Sequence, residues 1–191
     1  MQECGLVATD VACRRGDRIL FRGLSLGLGR GGIVHLAGPN GIGKSSLIRI
    51  LAGLLRPYAG TVERTGAVAL ADERLALDGH EPLGKALAFW HRIDRVERET
   101  ADFGLADLLD VPVRYLSTGQ RKRAALARVA ASAAPIWLLD EPLNGLDAYW
   151  SCKAQAAIHA HCRDGGAVVI ASHQPLSLDG VSVIELLDFQ V

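Results

Sequence analysis

Residues 38–45 combine side chains that are suited to holding nucleotide phosphates. They read Gly-Pro-Asn-Gly-Ile-Gly-Lys-Ser and match the pattern G-x-x-x-x-G-K-S. In such a loop the glycines let backbone N–H groups turn toward phosphate oxygens, Lys44 places positive charge beside the β- and γ-phosphates, and the Ser45 hydroxyl suits Mg²⁺. The residues that we assign to nucleotide binding here are Gly38, Pro39, Asn40, Gly41, Ile42, Gly43, Lys44, Ser45 and Ser46.

The segments on either side of this loop have the patterns that a phosphate loop requires. Residues 33–37 form an apolar run that predicts a buried strand. Leucines and isoleucines between 47 and 55 follow helical spacing, and this helix is predicted to end near Arg56-Pro57 because proline disfavours helical backbone in the residue before it. A chance match in a glycine-rich chain is the alternative, and the strand and helix around the loop argue against it.

An acidic pair follows a second apolar run. Residues 136–139, Ile-Trp-Leu-Leu, predict a buried strand that ends in Asp140-Glu141. A carboxylate at the carboxyl end of a buried parallel strand points into the crevice where such sheets bind ligands. We expect Asp140 to hold Mg²⁺, directly or through water, and Glu141 to orient or deprotonate the attacking water. The alternative is a solvated pair that opens a turn, and the phosphate loop makes it the weaker interpretation.

Two further element ends carry candidate residues. His173 follows the apolar strand 167–171 at the sheet edge expected for Asp140, and is therefore a candidate partner of the γ-phosphate. Ser117, Thr118, Gly119 and Gln120 open a helix with the S-x-x-Q capping box, and a helix N-terminus is also an anion site. Because the chain already has one phosphate site, we expect this second one to complete a nucleotide pocket on another copy. The basic residues that follow are predicted to form a solvated face: Arg121, Lys122, Arg123 and Arg128.

Composition bounds the class of protein. The 191 residues carry 21 basic and 21 acidic side chains, so the net charge of zero gives no sign of a nucleic-acid-binding surface. The four cysteines are scattered, which favours reduced cytosolic thiols. No apolar run approaches the roughly 20 residues that span a bilayer. We therefore expect a soluble chain that docks on a membrane protein.

The order of predicted elements indicates an α/β fold. Strands that alternate with helices after residue 32 imply a largely parallel sheet flanked by helices. A β-rich start with a hairpin turn at 14–17 and a helical middle are predicted as additions to this core. The remaining predicted elements are strands at 5–28, 61–63, 68–70 and 181–186, and helices at 81–109, 118–132 and 147–163.

Together these motifs resemble the ATP-binding-cassette (ABC) ATPase family over essentially the whole chain. The phosphate loop is similar to its Walker A motif, residues 136–140 to its Walker B strand, and residues 116–120 to its signature. The resemblance makes Glu141 the catalytic carboxylate, His173 the switch histidine and Asp147 part of the D-loop. It implies one ATP-binding domain over residues 1–191, an α/β P-loop NTPase with an antiparallel β subdomain and a helical subdomain at about 81–116.

The resemblance also implies the reaction and the assembly. It implies hydrolysis of ATP with Mg²⁺ by a head-to-tail homodimer, in which each ATP lies between one copy's Walker A loop and the other copy's signature.

The sequence departs from the family's usual pattern at three places. Thr118 stands where the signature usually has Gly, Arg15 stands where an aromatic residue usually stacks on adenine, and Glu73 or Glu81 stands for the usual Q-loop glutamine as a possible metal ligand.

Within the family, the short single cassette most resembles the ATP-binding subunit of the haem exporter used in cytochrome c maturation. The stretches that carry this are 14–21 with 23–26, then 53–57 and 134–142. The resemblance implies polytopic membrane subunits, a haem exporter permease, as partners, no nucleic acid, and a cytoplasmic place on the inner face of the cell inner membrane. The alternatives are the ATPase of another transporter, a soluble ABC ATPase on ribosomes or DNA, and a non-hydrolysing switch, which Glu141 and His173 argue against.

Overall fold

A computed structural model describes residues 4–94 and 102–190 of the chain. Its strands and helices follow one another in the order that the sequence predicts, with an antiparallel sheet first and a parallel sheet after it. The strands are β1 (Gly5–Arg15), β2 (Arg18–Gly29), β3 (Ile33–Ala37), β4 (Ala59–Thr65), β5 (Val68–Ala71), β6 (Ile136–Asp140), β7 (Ala167–Ala171) and β8 (Val181–Glu185). The α-helices are α1 (Lys44–Leu51), α2 (Leu83–Asp94), α3 (Thr118–Ala131) and α4 (Ala148–Arg163).

The core sheet brings the predicted functional segments to one edge. Its strand order is β5-β6-β7-β3-β8, and all of these pairings are parallel. Strands β6 and β7 are buried along their whole length, as expected for the interior of a parallel sheet covered on both faces. Because β7 lies between β6 and β3, the segments that follow these three strands meet at the carboxyl edge, where such sheets bind ligands.

The β-rich start folds as an antiparallel sheet in the order β2-β1-β4. The predicted turn is confirmed, since Arg15 pairs with Arg18 across it. Phe21 of β2 is fully buried, and its ring lies against the phosphate loop at Gly43. A β-carbon at Gly43 would lie 3.1 Å from the Phe21 ring, so this sheet fixes the loop from one side. The predicted α/β fold, with a parallel core and an antiparallel addition, is confirmed.

The helix after the phosphate loop is shorter than its pattern predicts. It ends at Leu51, and the prediction that it continues to Arg56-Pro57 is wrong. Gly53 has φ 79°, which a right-handed helix does not allow. Arg64 of β4 donates hydrogen bonds to the carbonyl oxygens of Ile50 and Leu51. A side chain from a distant strand therefore takes the carbonyl groups that a further turn would have used.

The helical middle is also less regular than predicted. The prediction of helix through 109 is wrong for the described residues after 101, where a short 3₁₀ turn at Ala106–Leu108 replaces it; residues 95–101 lie outside the described part. Asp102 Oδ1 accepts a hydrogen bond from the Gly104 N–H, and Gly104 has φ 60°, so local turn geometry wins over helical spacing. Among the described residues no helix is long and apolar enough to cross a membrane.

The cysteines are free thiols, as predicted, and they differ in burial. Cys13 and Cys162 are buried, whereas Cys152 is exposed on α4. Burial raises the pKa of the Cys162 thiol to about 11. We expect excess maleimide at pH 7 to label Cys152 first and Cys162 only after denaturation, because the thiolate is the reacting species. Peptide mapping by mass spectrometry measures this, and equal labelling rates in the folded chain would contradict the arrangement.

Candidate nucleotide-binding site

The phosphate loop joins β3 to α1 and places a lysine in its centre. Lys44 is 5% exposed, and its Nζ donates hydrogen bonds to the carbonyl oxygens of Gly38 at 2.7 Å and Pro39 at 3.1 Å. These bonds hold the ammonium over the loop. The helix begins at Lys44 with Gly43 as its N-cap, and glycine has no side chain to occupy the first N–H groups. Those groups are suited to bind an anion.

A cleft of about 580 Å³ opens beside this loop and gathers residues from the whole chain. It brings together most of the residues predicted to contact nucleotide or metal, and Asn144 joins them. Its lining includes Arg15, Asn40, Gly41, Gly43, Lys44, Ser45, Ser46, Glu73, Glu141 and His173. Gly38 and Pro39 line a neighbouring cavity, and Ile42 is buried beneath the loop.

The carboxylate that ends β6 lies beside Ser45 but does not itself line the cleft. Asp140 is 2% exposed, and burial raises its pKa, while a hydrogen bond with Ser45 and the charge of Lys122 oppose that rise. Within the described residues, Asp140 Oδ1 is buried without a hydrogen-bond partner. An unpartnered carboxylate oxygen beside a serine hydroxyl is the oxygen donor set that Mg²⁺ prefers. The residues present therefore fit this ion.

Glu141 occupies a strained position between the phosphate loop and His173, the predicted switch histidine. Its φ of 48° is left-handed, which is uncommon for a residue other than glycine, and its N–H donates to the Ala171 carbonyl at 2.8 Å. His173 Nδ1 donates a hydrogen bond to Glu141 Oε2 at 2.9 Å, and Lys44 Nζ lies 3.5 Å from Glu141 Oε1. A carboxylate that is oriented on both oxygens and borders the cleft is a good candidate for a general base.

The predicted signature lies apart from the cleft of its own chain. Ser117 Oγ accepts from the Gln120 N–H at 3.3 Å, and Gln120 Oε1 accepts from the Ser117 N–H at 2.7 Å, so the predicted capping box is present. Ser117 and Thr118 are exposed. Gly119 packs on the next loop, where a β-carbon would lie 2.8 Å from the Gly145 carbonyl oxygen.

The predicted D-loop forms the other half of this contact. The loop at residues 144–147 touches the signature through Gly145 and begins α4 through Asp147, whose Oδ1 accepts from the Trp150 N–H at 2.9 Å. Asn144, at its start, lines the cleft. The predicted signature and the predicted D-loop are therefore in contact with each other.

The two candidates for the Q-loop position are separated by the fold. Glu73 follows β5 and lines the cleft with Ser45. Glu81 does not line it; its carboxylate lies 3.5 Å from Lys85 Nζ near the start of α2. Arg15, the predicted adenine contact, lies at the edge of the cleft.

One lysine of α3 points inward to the end of β6. Lys122 was predicted in a solvated face, and that prediction is wrong: its Nζ donates to the Asp140 carbonyl oxygen at 3.1 Å. Burial lowers the Lys122 pKa, and the nearby carboxylates, Asp140 first, oppose this shift. Its spacing of four and seven residues from the buried Leu126 and Val129 was the signal that could have placed it inward.

Arg128 departs from the same prediction for a similar reason. Its guanidinium donates to the Leu70 carbonyl at 2.6 Å and lies 4.5 Å from the centre of the Trp90 ring. It therefore connects α3 to β5 and α2.

A phosphate loop, a buried aspartate and a glutamate–histidine pair at the edge of a parallel sheet define a P-loop ATPase.

Comparison with known proteins places the chain within this class. Residues 21–144 match the protein family described as ABC transporter. The chain is 77% identical over 190 residues to the cytochrome c biogenesis ATP-binding export protein CcmA of Novosphingobium aromaticivorans, covering 100% of both chains. It is 55% identical to the protein of the same name from Sphingopyxis alaskensis, covering 91% of this chain and 92% of that relative. The chain belongs to the ABC transporter family and is an ABC-type ATPase.

Solved structures support the fold. An ABC transporter ATP-binding protein of Pyrococcus furiosus has a TM-score of 0.83 at 22% identity and covers 98% of this chain and 100% of its own. A chain of a metal-chelate type ABC transporter, solved in an inward-facing conformation, has a TM-score of 0.76 at 22% identity, with 100% of this chain and 82% of that chain covered. At this identity the likeness shows the fold alone.

Proposed function

We propose that this chain is the ATP-hydrolysing subunit of an export complex in cytochrome c biogenesis, with haem as the cargo. The observation that carries the proposal is the full-length similarity to the Novosphingobium relative, whose name gives both the pathway and export. The haem cargo comes from the sequence resemblance, since that name does not state what is exported. The chain acts as a single ATP-binding domain.

ATP binding is assigned to the cleft beside the phosphate loop. The N–H groups at the start of α1 and the Lys44 ammonium bind the β- and γ-phosphates. Arg15 at the cleft edge stacks its planar guanidinium on adenine. Ser45, Asp140 and Glu73 are the residues that would hold Mg²⁺, which supplies positive charge to the phosphate oxygens when bound.

Hydrolysis is assigned to Glu141 and His173. A water oxygen forms a bond to the γ-phosphorus, the bond from that phosphorus to the bridging oxygen breaks, and ADP leaves. Glu141 accepts the proton that the water loses, because this residue borders the cleft and its Oε1 accepts no hydrogen bond within the described residues. His173 holds the other oxygen of that carboxylate.

A complete site needs a second copy of the chain. The exposed Ser117 and Thr118 lie at a helix N-terminus that does not line the cleft of their own subunit. In the proposed head-to-tail homodimer, this N-terminus and the D-loop, including Asp147, lie against the partner's ATP. The free N–H groups and dipole of α3 then add to the partner's phosphate site.

The proposed membrane contact lies on the helical part at about residues 81–116. There a cavity of about 320 Å³ opens between Leu87 of α2 and Leu109, which is 42% exposed. A short amphipathic helix of a polytopic membrane subunit fits such an apolar groove. This contact would hold the chain at the cytoplasmic face of the inner membrane.

Affinity capture of the Glu141→Gln variant from its native cells, with ATP present, tests the function. We expect the variant to keep ATP and its partners because turnover is blocked. Co-purification of membrane proteins of cytochrome c maturation would support the proposal. Co-purification of membrane subunits of another transporter would support the role as a transporter ATPase and would overturn haem as the cargo. Ribosomes, DNA enzymes or no membrane partner would overturn the transporter assignment.

Two matched variants control this experiment. Leu109→Asp changes the lining of the proposed groove and leaves the ATP cleft untouched, so the chain should bind ATP normally and lose the membrane subunits. Val7→Ser changes a residue of β1 that is 48% exposed and distant from α2, and it should capture the same partners as the starting variant.

A further inference from the structure

A histidine in the middle of a buried strand has no role in the reaction described so far. His35 is 6% exposed and lies in β3 between the apolar residues Val34 and Leu36. A polar ring in such a place costs free energy unless it is hydrogen-bonded. The identity of its partner therefore indicates what the ring does.

His35 holds the residue that precedes the switch histidine. Its Nε2 lies 3.2 Å from the carbonyl oxygen of Ser172. A carbonyl oxygen only accepts, so Nε2 carries the proton and donates it. The Ser172 N–H donates in turn to the Leu36 carbonyl at 3.2 Å. Two neighbouring residues of β3 thus hold both main-chain groups of Ser172.

Beyond Ser172, the segment is attached to other parts of the fold: the Ser177 N–H donates to Gln155 Oε1 at 2.9 Å, and Leu176 and Leu178 pack against the core. Residues 172–180 contain no helix or strand, and they border an open cavity of about 760 Å³ that His35 also lines. Ser172 Oγ accepts from the Gln174 N–H at 2.9 Å, which shapes the turn but does not attach it to the sheet. Its attachment to β3 therefore depends on the two main-chain contacts of Ser172.

We propose that His35 is a positioning residue for ATP hydrolysis, whose imidazole anchors the Ser172 carbonyl and so sets the distance between His173 and Glu141. The ring acts through the main chain and contacts neither nucleotide nor the reacting water. The inference rests on the proposed function, because it needs Glu141 and His173 to act in hydrolysis. It connects β3, the strand that leads into the phosphate loop, to the segment 172–180 that carries His173.

The test compares His35→Leu with His35→Gln in the purified full-length chain. Leucine has a side chain of similar size but is apolar, so it removes the hydrogen-bond donor. We expect kcat to fall about tenfold with the KM for ATP unchanged, because small misplacements of catalytic groups lower the rate. Glutamine offers an N–H donor and should restore most of the loss. An unchanged kcat in His35→Leu, or no rescue by glutamine, overturns the inference.

A stability control separates positioning from simple loss of packing. Val34→Ala removes buried apolar volume from the same strand, and we expect it to lower the melting temperature while kcat stays near the starting value. An equal fall in kcat in Val34→Ala would overturn the inference. If His35→Leu does not fold, His35→Met makes the same comparison, since an unbranched side chain adapts to the space.

A double-mutant cycle with His173→Ala distinguishes the inference from the proposed function. If His35 acts through His173, His35→Leu should cause no further loss in the His173→Ala background. Additive losses would overturn the inference alone. A normal kcat in His173→Ala itself would instead overturn the catalytic role of His173, and with it the basis for a positioning residue.

Discussion

Glu141→Gln is expected to lower the rate of ATP hydrolysis by a factor on the order of 10²–10⁴. The amide has nearly the same shape as the carboxylate but cannot accept a proton from water. The loop around it stays formed, because the Glu141 N–H still donates to the Ala171 carbonyl and Lys44 keeps its bonds to the loop. ATP binding should therefore persist while turnover stops.

Single-turnover kinetics and equilibrium binding of a fluorescent ATP analogue measure the two effects separately. Size-exclusion chromatography with ATP should show the variant as a dimer, because the nucleotide that links two copies is no longer hydrolysed. Glu63→Gln, an exposed change on β4 away from the cleft, is the matched control and should behave as the unchanged chain. A Glu141→Gln variant with normal turnover would remove Glu141 from the role of base.

The elements whose ends are set by neighbouring residues could be predicted from the sequence. The start of α3 follows from Ser117 and Gln120, because the side-chain oxygen of each accepts a hydrogen bond from the main-chain N–H of the other. The buried strands β6 and β7 follow from unbroken apolar runs bounded by turns. In both cases the determining groups lie within a few residues, so a local pattern is sufficient.

The predictions from sequence were wrong where a side chain distant in the chain determines the local structure. The helix after the phosphate loop ends early because Arg64, from a later strand, binds its last carbonyl groups. Lys122 looks like a surface lysine in sequence, yet it turns inward to the Asp140 carbonyl. A strand pairing or a helix contact has to exist before either interaction does. Helical spacing could have placed Lys122 on the inward face of α3, but it does not identify the Asp140 carbonyl as the partner.

The candidate site also contains residues whose position could be predicted from the sequence and residues whose position could not. The phosphate loop, Asp140 and Glu141 stand next to apolar strands, so their meeting at one sheet edge could be predicted from the α/β pattern. Glu73 and Glu81 fit the sequence equally well, and only the fold places the first in the cleft and the second beside Lys85. His35 gave no signal, because one polar residue in an apolar run does not reveal its partner.

Ser117→Arg is expected to abolish hydrolysis while leaving ATP binding to the single chain unchanged. Ser117 is exposed and absent from the cleft around Lys44, so a large basic side chain there leaves that chain's own phosphate site intact. In a head-to-tail dimer the same side chain would fill the space beside the partner's ATP. Steady-state ATPase assays and equilibrium ATP binding check the two parts, and normal hydrolysis would contradict a shared site. Ser182→Arg, a similar change at an exposed serine of β8, should keep its activity.

Mixing two inactive variants gives the sharper form of this test. Lys44→Ala should lose ATP binding in its own site and keep a normal signature, whereas Ser117→Arg has the reverse defect. A mixed dimer then contains one site with both defects and one with neither. At equal amounts half of the dimers are mixed, so roughly a quarter of the normal rate should return if the two sites work independently. Recovery requires each site to be built from two chains, because no single chain in the mixture carries both working parts. No recovery, in a mixture where differently tagged copies co-purify, would show that the signature does not act on its neighbour's nucleotide as an independent site.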